Sequence, residues 1–284
     1  MAPVASRLPG DRLHLQHGPI DLVIEAWGER VEVERAYAQA WDRFQDVLAV
    51  LAGELEFLRS PIADPCPLAR GPVARRMFAA VWPHRAQFVT PMAAVAGAVA
   101  DEMMESMLAA TCLKRAYVND GGDIAIHVAQ GETFTAGIVD NPFVRRISGR
   151  IKIDAPCGVA TSGWRGRSQS LGIADAVTVL AQNAAAADAA ATLIANAVNV
   201  DHPSIRRLPA REWKHDSDLG DLPVTVGVGD LPREKKRQAL ANGLAVAARM
   251  RSSGLIEAAY LALQDETAVA AQVQRQDPRA QRAA

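Results

Sequence analysis

Five short segments in the middle of the chain constrain its fold most strongly. They are rich in Val, Ile and Thr and are separated by turn residues. In chain order between residues 116 and 182 they read AYVNDGGDIAIHV, TFTAGIVD, GRIKID, GVATSG and DAVTVLAQ. Residues of these types favour strands, and strands spaced this closely fit antiparallel pairing. The pattern therefore predicts a mostly antiparallel sheet.

Helical patterns precede these strands. Apolar residues at steps of three and four form one stripe from Val33 to Leu58, after a predicted strand over residues 20–28. A second helix is predicted from Pro91, with the Thr90 hydroxyl able to cap its first turn. Small residues in this helix, such as Gly97, allow close approach of another backbone or of a flat ligand, with tight packing on a sheet as the alternative.

Further elements follow the strands. An alanine-rich helix is predicted over residues 184–198, a strand over 223–229, and helical structure from about Pro232 that is interrupted near Gly254. No low-complexity linker separates these parts. The prediction is a single α+β domain over residues 1–284, with long helices covering one face of the sheet and a frayed tail after about residue 272.

Composition argues against several classes of partner. The formal net charge is −1, from 31 basic and 32 acidic residues spread along the chain, so neither a nucleic acid nor a membrane surface is an expected partner. The N-terminus lacks the apolar core of a secretory signal, and no uncharged run reaches the roughly 18–20 residues of a membrane span. A cytoplasmic protein is therefore expected. Cys66, Cys112 and Cys157 lack metal-ligand spacing and are expected to be buried free thiols.

The first candidate site element is the turn in VNDGGDI. Gly121 and Gly122 permit backbone angles closed to other residues and let a ligand approach the main chain. Asn119, Asp120 and Asp123 place polar groups around the turn. A plain hairpin turn would require the same residues, so the pattern alone leaves both interpretations open.

The second element is the loop TSGWRGRSQS. It combines the hydroxyls of Thr161 and Ser162 with Gly163 and the guanidinium groups of Arg165 and Arg167. Backbone N–H groups, hydroxyls and guanidinium forks can bind a phosphate. The Lys-Ser/Thr signature of a P-loop is missing, and a solvated connection is the alternative.

The third element is a pair of residues in the alanine-rich helix. Asp188 and Thr192 are four positions apart, so their side chains project from the same helix face. A carboxylate and a hydroxyl can jointly coordinate a hard cation such as Mg²⁺. Two oxygen ligands are also what an ordinary solvated helix face presents.

These elements occur in an order that resembles a known family. The series Asn119, Gly121, Gly122 and Asp123, then Thr161, Ser162 and Gly163, then Ala187, Asp188, Ala191 and Thr192 is similar to the ApbE family of flavin transferases, in its UPF0280 branch. The stretches HGPIDL and PMAAVAGAVAD also look like that branch, so the likeness spans most of the chain.

The resemblance implies a T-fold-related α+β architecture and a site for FAD or FMN. It also implies Mg²⁺-dependent transfer of FMN from FAD to a Thr or Ser of a protein acceptor, with release of AMP. Carried over by motif, the Asn-x-Gly-Gly-Asp turn would contact the flavin nucleotide, and Asp188 with Thr192 would hold the magnesium. A main-chain carbonyl near the start of the Pro91 helix would be a further ligand.

The chain departs from the transferases after Gly163. They continue with an acidic, Tyr- and Arg-containing run and a His-x-x-Asp-Pro-x-Thr-Gly segment, whereas here residues 164–171 form a shorter replacement without histidine or proline. Asp175 is a further carboxylate near this loop, or else begins the next strand. His17 is the one histidine expected to face the same cleft. No catalytic residue is assigned. The alternatives are a flavin- or pterin-binding module without catalysis and a structural homo-oligomer, such as a homodimer, held by alanine-rich helices.

Overall fold

The computed structural model describes residues 2–64, 68–139 and 147–271. The prediction of a frayed tail after about residue 272 and the prediction for Cys66 lie outside these residues. The described helices are α1 (Arg30–Phe44), α2 (Val47–Gly53), α3 (Leu55–Leu58), α4 (Pro72–Val81), α5 (Val95–Leu108), α6 (Ala184–Ala197), α7 (Ala210–Trp213) and α8 (Arg233–Ser252). Two single 3-10 turns, Trp82–His84 and Pro91–Ala94, follow α4 and precede α5.

Nine of the strands form one sheet in which every neighbouring pair is antiparallel. Their order across the sheet is β1 (Val4–Leu8), β2 (Arg12–His17), β3 (Ile20–Gly28), β4 (Leu113–Asp120), β5 (Asp123–Val128), β8 (Cys157–Ser162), β9 (Ala176–Ala181), β12 (Ala258–Leu263) and β13 (Glu266–Ala270). Two separate hairpins pair β6 (Phe134–Ile138) with β7 (Gly149–Ile153) and β10 (Ile205–Pro209) with β11 (Pro223–Val228). The predicted mostly antiparallel α+β fold covered by helices is confirmed.

The main core lies between this sheet and its helices. Alternate residues of the strands, such as Leu22, Val118 and Ala160, are fully buried against helices that include α1, α5 and α6. The opposite face carries a smaller cluster, in which Ile126 and Val159 pack with the β6–β7 hairpin. Consequently, side chains on one face of the sheet contact the helices, and those on the other face contact the β6–β7 hairpin.

The predicted single helix from Val33 to Leu58 is wrong in its continuity. The chain forms three helices there, with breaks at Gln45–Asp46 and at Glu54. Asp46 and the terminal Gly53 have low helix propensity. Asp46 also accepts a hydrogen bond from Arg43 at 2.5 Å. The apolar stripe therefore continues across turns that interrupt the helix.

The Pro91 segment and Cys112 differ from the sequence predictions, whereas Cys157 agrees with them. The Pro91 segment begins as a 3-10 turn, and the Thr90 hydroxyl donates to Asp218 at 2.6 Å instead of capping it. Cys157 is a buried free thiol as expected, but Cys112 is exposed because it lies in the turn before β4. None of the helices within the described ranges is long and apolar enough to cross a membrane.

Candidate functional site

The β4–β5 connection is a two-residue turn formed by Gly121 and Gly122. Both have positive φ angles, +66° and +118°, which glycine adopts without the steric cost that other residues carry. The Asn119 carboxamide oxygen accepts the Gly122 N–H at 2.8 Å. The predicted hairpin turn therefore exists, and it sets Asp120 directly opposite Asp123 in the strand register.

Both of these aspartates point toward the helices. Ala116 and Val118 on β4 and Ala125 on β5 belong to the main core, and residues two positions along a strand share a face. Asp120 and Asp123 are therefore on the helix-covered face. Asp120 is only 5% exposed, and its carboxylate accepts the backbone N–H of Asp21 on β3. Asp123 accepts the backbone N–H of Thr161 at 3.3 Å.

A third carboxylate, that of Asp188, reaches the same place from α6. It accepts the Gly97 N–H at 3.1 Å and also the Ala96 N–H, so it caps the first turn of α5 from a neighbouring helix. The charges of Asp123 and Asp120 act on it, and that of Asp120 acts on Asp123. We refer to Asp120, Asp123 and Asp188 as the carboxylate cluster.

Burial perturbs all three acids of this cluster. Desolvation, opposed by the Asp21 N–H and by Arg167, raises the pKa of Asp120 to about 7. Burial and the charge of Asp120 raise the pKa of Asp123. Burial and the charge of Asp123 raise the pKa of Asp188 well above its usual value, although two backbone N–H groups favour its ionised form. A cation placed among these groups would therefore be strongly attracted.

Among the described residues, Arg167 is the cation whose charge acts on Asp120 and Asp123. Its guanidinium lies on the hairpin turn so closely that a Cβ atom on Gly121 would sit 1.7 Å from Nη2. Its charge lowers the pKa of both Asp120 and Asp123. The side chain is exposed, and no described acid lies within 4.0 Å of it as an ion-pair partner. It therefore presents a cation at the rim of the cluster.

Arg165 does not share this position. Its Nε donates to Asp175 at 2.6 Å, and the indole Nε1 of Trp164 donates to the same oxygen at 3.0 Å. The other oxygen of Asp175 accepts the Gln264 N–H. Asp175 immediately precedes β9, and it fixes this part of the loop instead of joining the carboxylate cluster.

The hydroxyl-bearing residues of the TSG motif are divided between the two sheet faces. Ser162 is buried on the helix-covered face, in line with Ala160. The Thr161 hydroxyl pairs with that of Thr178 at 2.8 Å, in the row that contains Val159 on the opposite face. Only the backbone N–H of Thr161 reaches the cluster. Gly163 packs against the carbonyls of residues 174 and 175, where a Cβ atom would be 2.5 Å from the nearer oxygen.

Thr192 lies one turn after Asp188 on α6 and is partly exposed. It therefore shares the helix face of the cluster's third acid, as the spacing predicts. Within the described ranges, no three His, Cys, Asp or Glu side chains form a group with metal-binding geometry. A metal at this position would depend on oxygens of other kinds, namely the Thr192 hydroxyl and main-chain carbonyls.

The approach of α6 to α5 is what brings Asp188 into place. A Cβ atom on Gly97 would be 2.3 Å from the Ala184 carbonyl oxygen, so glycine is required where the two backbones meet. Of the two interpretations of Gly97, close approach of another backbone is the one observed. Asp101 on α5 accepts the N–H groups of Ala184 and Ala185, both at 2.9 Å. Each helix thus caps the other, an arrangement that sequence reasoning missed.

A segment that carried no sequence signal borders the site. The Lys214 ammonium donates to the Arg167 carbonyl at 2.5 Å, and Ser217 bonds to Gln169. Asp218 accepts the Thr90 hydroxyl. Residues 214–218 therefore connect the Arg167 loop with the chain that enters α5. His17 lies on the helix-covered face at the same end of the sheet, with its ring 6.3 Å from that of Phe44.

Two cavities lie apart from the carboxylate cluster, which lines neither of them. One, of about 190 Å³, is lined by residues that include His84, Asp101 and Asn183. The other, of about 550 Å³, is lined by residues that include Arg165, Asp175 and Lys236. Arg165 therefore faces the larger cavity.

Comparison with known proteins identifies relatives over most of the chain. A family model described as "AbpE bacteria" matches residues 5–270. A UPF0280 protein from Methanopyrus kandleri is 36% identical over 170 residues, which are 57% of this chain and 67% of that protein. A UPF0280 protein from Archaeoglobus fulgidus is 39% identical over 110 residues, 39% of this chain and 45% of that protein. The aligned part thus spans about half to two thirds of these relatives.

Solved structures with a similar course of the chain were also found. A mutant of the flavin transferase ApbE from Vibrio cholerae aligns over 93% of this chain and 98% of its own, with a TM-score of 0.44 and 13% identity. The apo form of the flavinyl transferase ApbE from Pseudomonas stutzeri aligns over 94% and 93%, with a TM-score of 0.40 and 13% identity.

Proposed function

The chain belongs to the UPF0280 family of the ApbE-like superfamily, and we propose on that premise that it binds a flavin nucleotide, FAD or FMN, beside the carboxylate cluster. One observation carries the proposal. Asp120 is buried and Asp123 and Asp188 are half-buried, and these three acids from two parts of the chain lie close enough for their charges to act on one another, next to an exposed arginine without an ion-pair partner among the described residues. Burying like charges together destabilises a fold, and acids whose pKa values are raised in this way are concentrated at functional sites.

Arg167 supports a phosphate-bearing ligand in particular. A guanidinium presents planar N–H donors that match phosphate oxygens. Gly121 lets it lie flat on the hairpin turn, and the turn's own backbone is open to a ligand because Gly122 has no heavy atom within 4 Å of its Cβ position. In this proposal Arg167 binds a phosphate of the nucleotide, and the Gly121–Gly122 backbone contacts its neighbouring part.

The cluster also suits Mg²⁺. All candidate ligands are oxygens, the donors that this hard cation prefers, and Asp188 uses lone pairs on one oxygen for the α5 N–H groups while others remain available. We propose that Asp188, Thr192 and a main-chain carbonyl near the Pro91 turn hold the ion. When bound, it would neutralise charge on phosphate oxygens. The chain's own part is to keep these oxygens fixed through the mutual capping of α5 and α6.

The finer proposal is transfer of FMN from FAD to a Thr or Ser hydroxyl of a protein acceptor. The hydroxyl oxygen forms a bond to the FMN phosphorus, the P–O bond from that phosphorus to the bridging oxygen breaks, AMP leaves with the bridging oxygen, and the hydroxyl proton is released to solvent. A binding module without catalysis is the second candidate. The short loop 164–171 favours it, because Arg165 and Asp175 are tied to each other there and are turned away from the cluster.

A flavin fluorescence titration tests the binding proposal. The purified protein is titrated with FAD in Mg²⁺ or in EDTA, and AMP release is followed by chromatography in the presence of a Thr- and Ser-containing acceptor protein. Saturable binding with AMP release and a gain of FMN mass on the acceptor supports the transferase. Saturable binding without AMP supports the binding module. The absence of saturable binding under both conditions would refute the proposal.

Variants separate the two parts of the site. Arg167→Gln changes an exposed side chain and is expected to weaken FAD binding at least about tenfold, in line with loss of a charge-assisted contact. Thr192→Val keeps the side-chain shape and is expected to remove the effect of Mg²⁺. Asp42→Asn, at an exposed position of α1, is the matched control and should bind like the parent protein. If Thr192→Val retained the full response to Mg²⁺, the magnesium assignment would be wrong.

A further inference from the structure

The cavity of about 190 Å³ at the start of α6 has the features of a second ligand site. It lies between the end of α4 and the first turn of α6, on the far side of the α5–α6 contact from Asp188. Asp120, Asp123 and Asp188 do not line it. Its volume exceeds that of an engineered apolar cavity of about 150 Å³ that binds benzene.

His84 is the unusual residue of this cavity. It sits in the 3-10 turn after α4 and is only 7% exposed, yet its ring has no hydrogen-bond partner among the described residues and faces the cavity. Burial lowers its pKa, so the ring is neutral and presents one N–H donor and one acceptor nitrogen. The ring nitrogens open onto the cavity, so a bound molecule can reach them there.

The remaining polar groups indicate which ligand chemistry fits. Asp101 already accepts two N–H groups of α6 and keeps free lone pairs, and the Asn183 carboxamide oxygen accepts the Ala186 N–H while its NH₂ group has no described acceptor. The first helical N–H groups are therefore satisfied internally, which removes the usual basis for anion binding at a helix start.

The charge balance also argues against an anion. Arg76 is the only cation lining this cavity among the described residues, and it is paired with both Glu102 and Glu105. Asp101 adds a further negative charge. Apolar residues such as Ala80, Pro83 and Ala185 line the cavity between these groups. An anion is therefore disfavoured, and an occupant that offers N–H donors to Asp101 and a compact apolar body to these residues fits the lining.

We propose that this cavity binds a small uncharged nitrogen heterocycle of single-ring size, with its N–H or amino group on Asp101 and its polar edge on His84. The proposal is independent of the flavin site, because no residue of the carboxylate cluster takes part. Cytosine is a probe of this chemistry, benzoate is an anionic probe of the same size, and Zn²⁺ probes the alternative that His84 and Asp101 hold a metal.

NMR of the full chain with ¹³C-labelled histidine tests it. The chain has six histidines, and the His84 signal is identified by its loss in His84→Gln. Cytosine is expected to shift that signal saturably, with a Kd of about 1 mM or tighter, while benzoate leaves it unmoved. A saturable response to Zn²⁺ or benzoate in place of cytosine, or no saturable response to cytosine, would overturn the proposal.

Two variants place the binding in the cavity. Ala186→Leu and Ala79→Leu each fill it from a different wall and should weaken cytosine binding at least about tenfold, since a filled cavity excludes the ring. Ala248→Leu makes the same change on the exposed side of α8 and should leave the affinity unchanged. Circular dichroism identifies any variant that fails to fold, and the second filling variant then decides. Unaltered cytosine affinity in a folded filling variant would show that the ring binds elsewhere.

Discussion

Neutralising one member of the carboxylate cluster should stabilise the fold in a pH-dependent manner. Asp120 is the best position, because it is 5% exposed and its pKa rises from 3.8 to about 7 on folding. Asp120→Asn keeps an oxygen that can accept the Asp21 N–H while removing the charge that burial penalises. The variant thus separates the electrostatic cost of the cluster from its hydrogen bonding.

The sign and size of the effect follow from linkage. Between pH 4 and pH 7 the folded chain retains a proton on Asp120 that the unfolded chain has lost, so the free energy of unfolding falls as the pH rises. The stabilisation that this bound proton provides is lost as the pH rises through about 7. A shift from 3.8 to about 7 corresponds to on the order of 4 kcal/mol. Asp120→Asn should therefore match the parent near pH 4 and exceed it by up to about that amount at pH 8.

Urea unfolding followed by circular dichroism at pH 4 and pH 8, in EDTA, measures this difference. Asp42→Asn removes a charge from an exposed position of α1 and should show no comparable dependence on pH. If Asp120→Asn were equally or less stable than the parent at pH 8, the cost assigned to burying this acid would be wrong. The same variant should lose flavin nucleotide binding if the cluster is the binding site.

Three further outcomes are expected. Gly97→Ala should lower the free energy of unfolding by at least about 2 kcal/mol in urea, because its Cβ atom would collide with a carbonyl of α6, whereas Gly53→Ala, in open space, should be neutral or gain about 0.5 kcal/mol. Asp101→Ala should lower the free energy of unfolding by about 1–2 kcal/mol through loss of the α6 cap, and equal stability by calorimetry would contradict the capping role. Iodoacetamide at pH 8 should modify Cys112 but leave Cys157 intact, since burial and the charge of Glu257 raise the pKa of the Cys157 thiol to about 12; peptide mass spectrometry checks both sites.

The features that the sequence predicted correctly have local causes. The Gly121–Gly122 turn follows from backbone angles that only glycine adopts freely. The strand segments follow from residue type and spacing, and the alternation along each strand puts Asp120 and Asp123 on one face once the core face is known. The shared face of Asp188 and Thr192 follows from helical geometry alone.

The features that could not be predicted from the sequence depend on contacts with residues far away in the chain. Arg165 and Arg167 are two residues apart in the same loop, yet Asp175 and the Gln264 backbone hold one side chain away while Gly121 receives the other. Spacing cannot separate them, because the distinction is made by β9 and β12. Thr161 was likewise expected in the site, but pairing with Thr178 shows its hydroxyl on the other face. The contact of Lys214 with Arg167 has no local signal either.

The close contact of α5 and α6 explains how a fold can keep three acids together. The Asp188 carboxylate interacts with the N-terminus of α5, which carries roughly half a positive unit charge from the helix dipole. The Arg167 guanidinium offsets part of the remaining negative charge, since it lowers the pKa of Asp120. Once these three acids are ionised, the described residues set one guanidinium and one helix end against them, and the proposed magnesium site rests on this excess of negative charge. Because Gly97 permits the helices to approach and Asp101 holds α6 in return, the packing that stabilises the core is also what fixes the position of the Asp188 carboxylate.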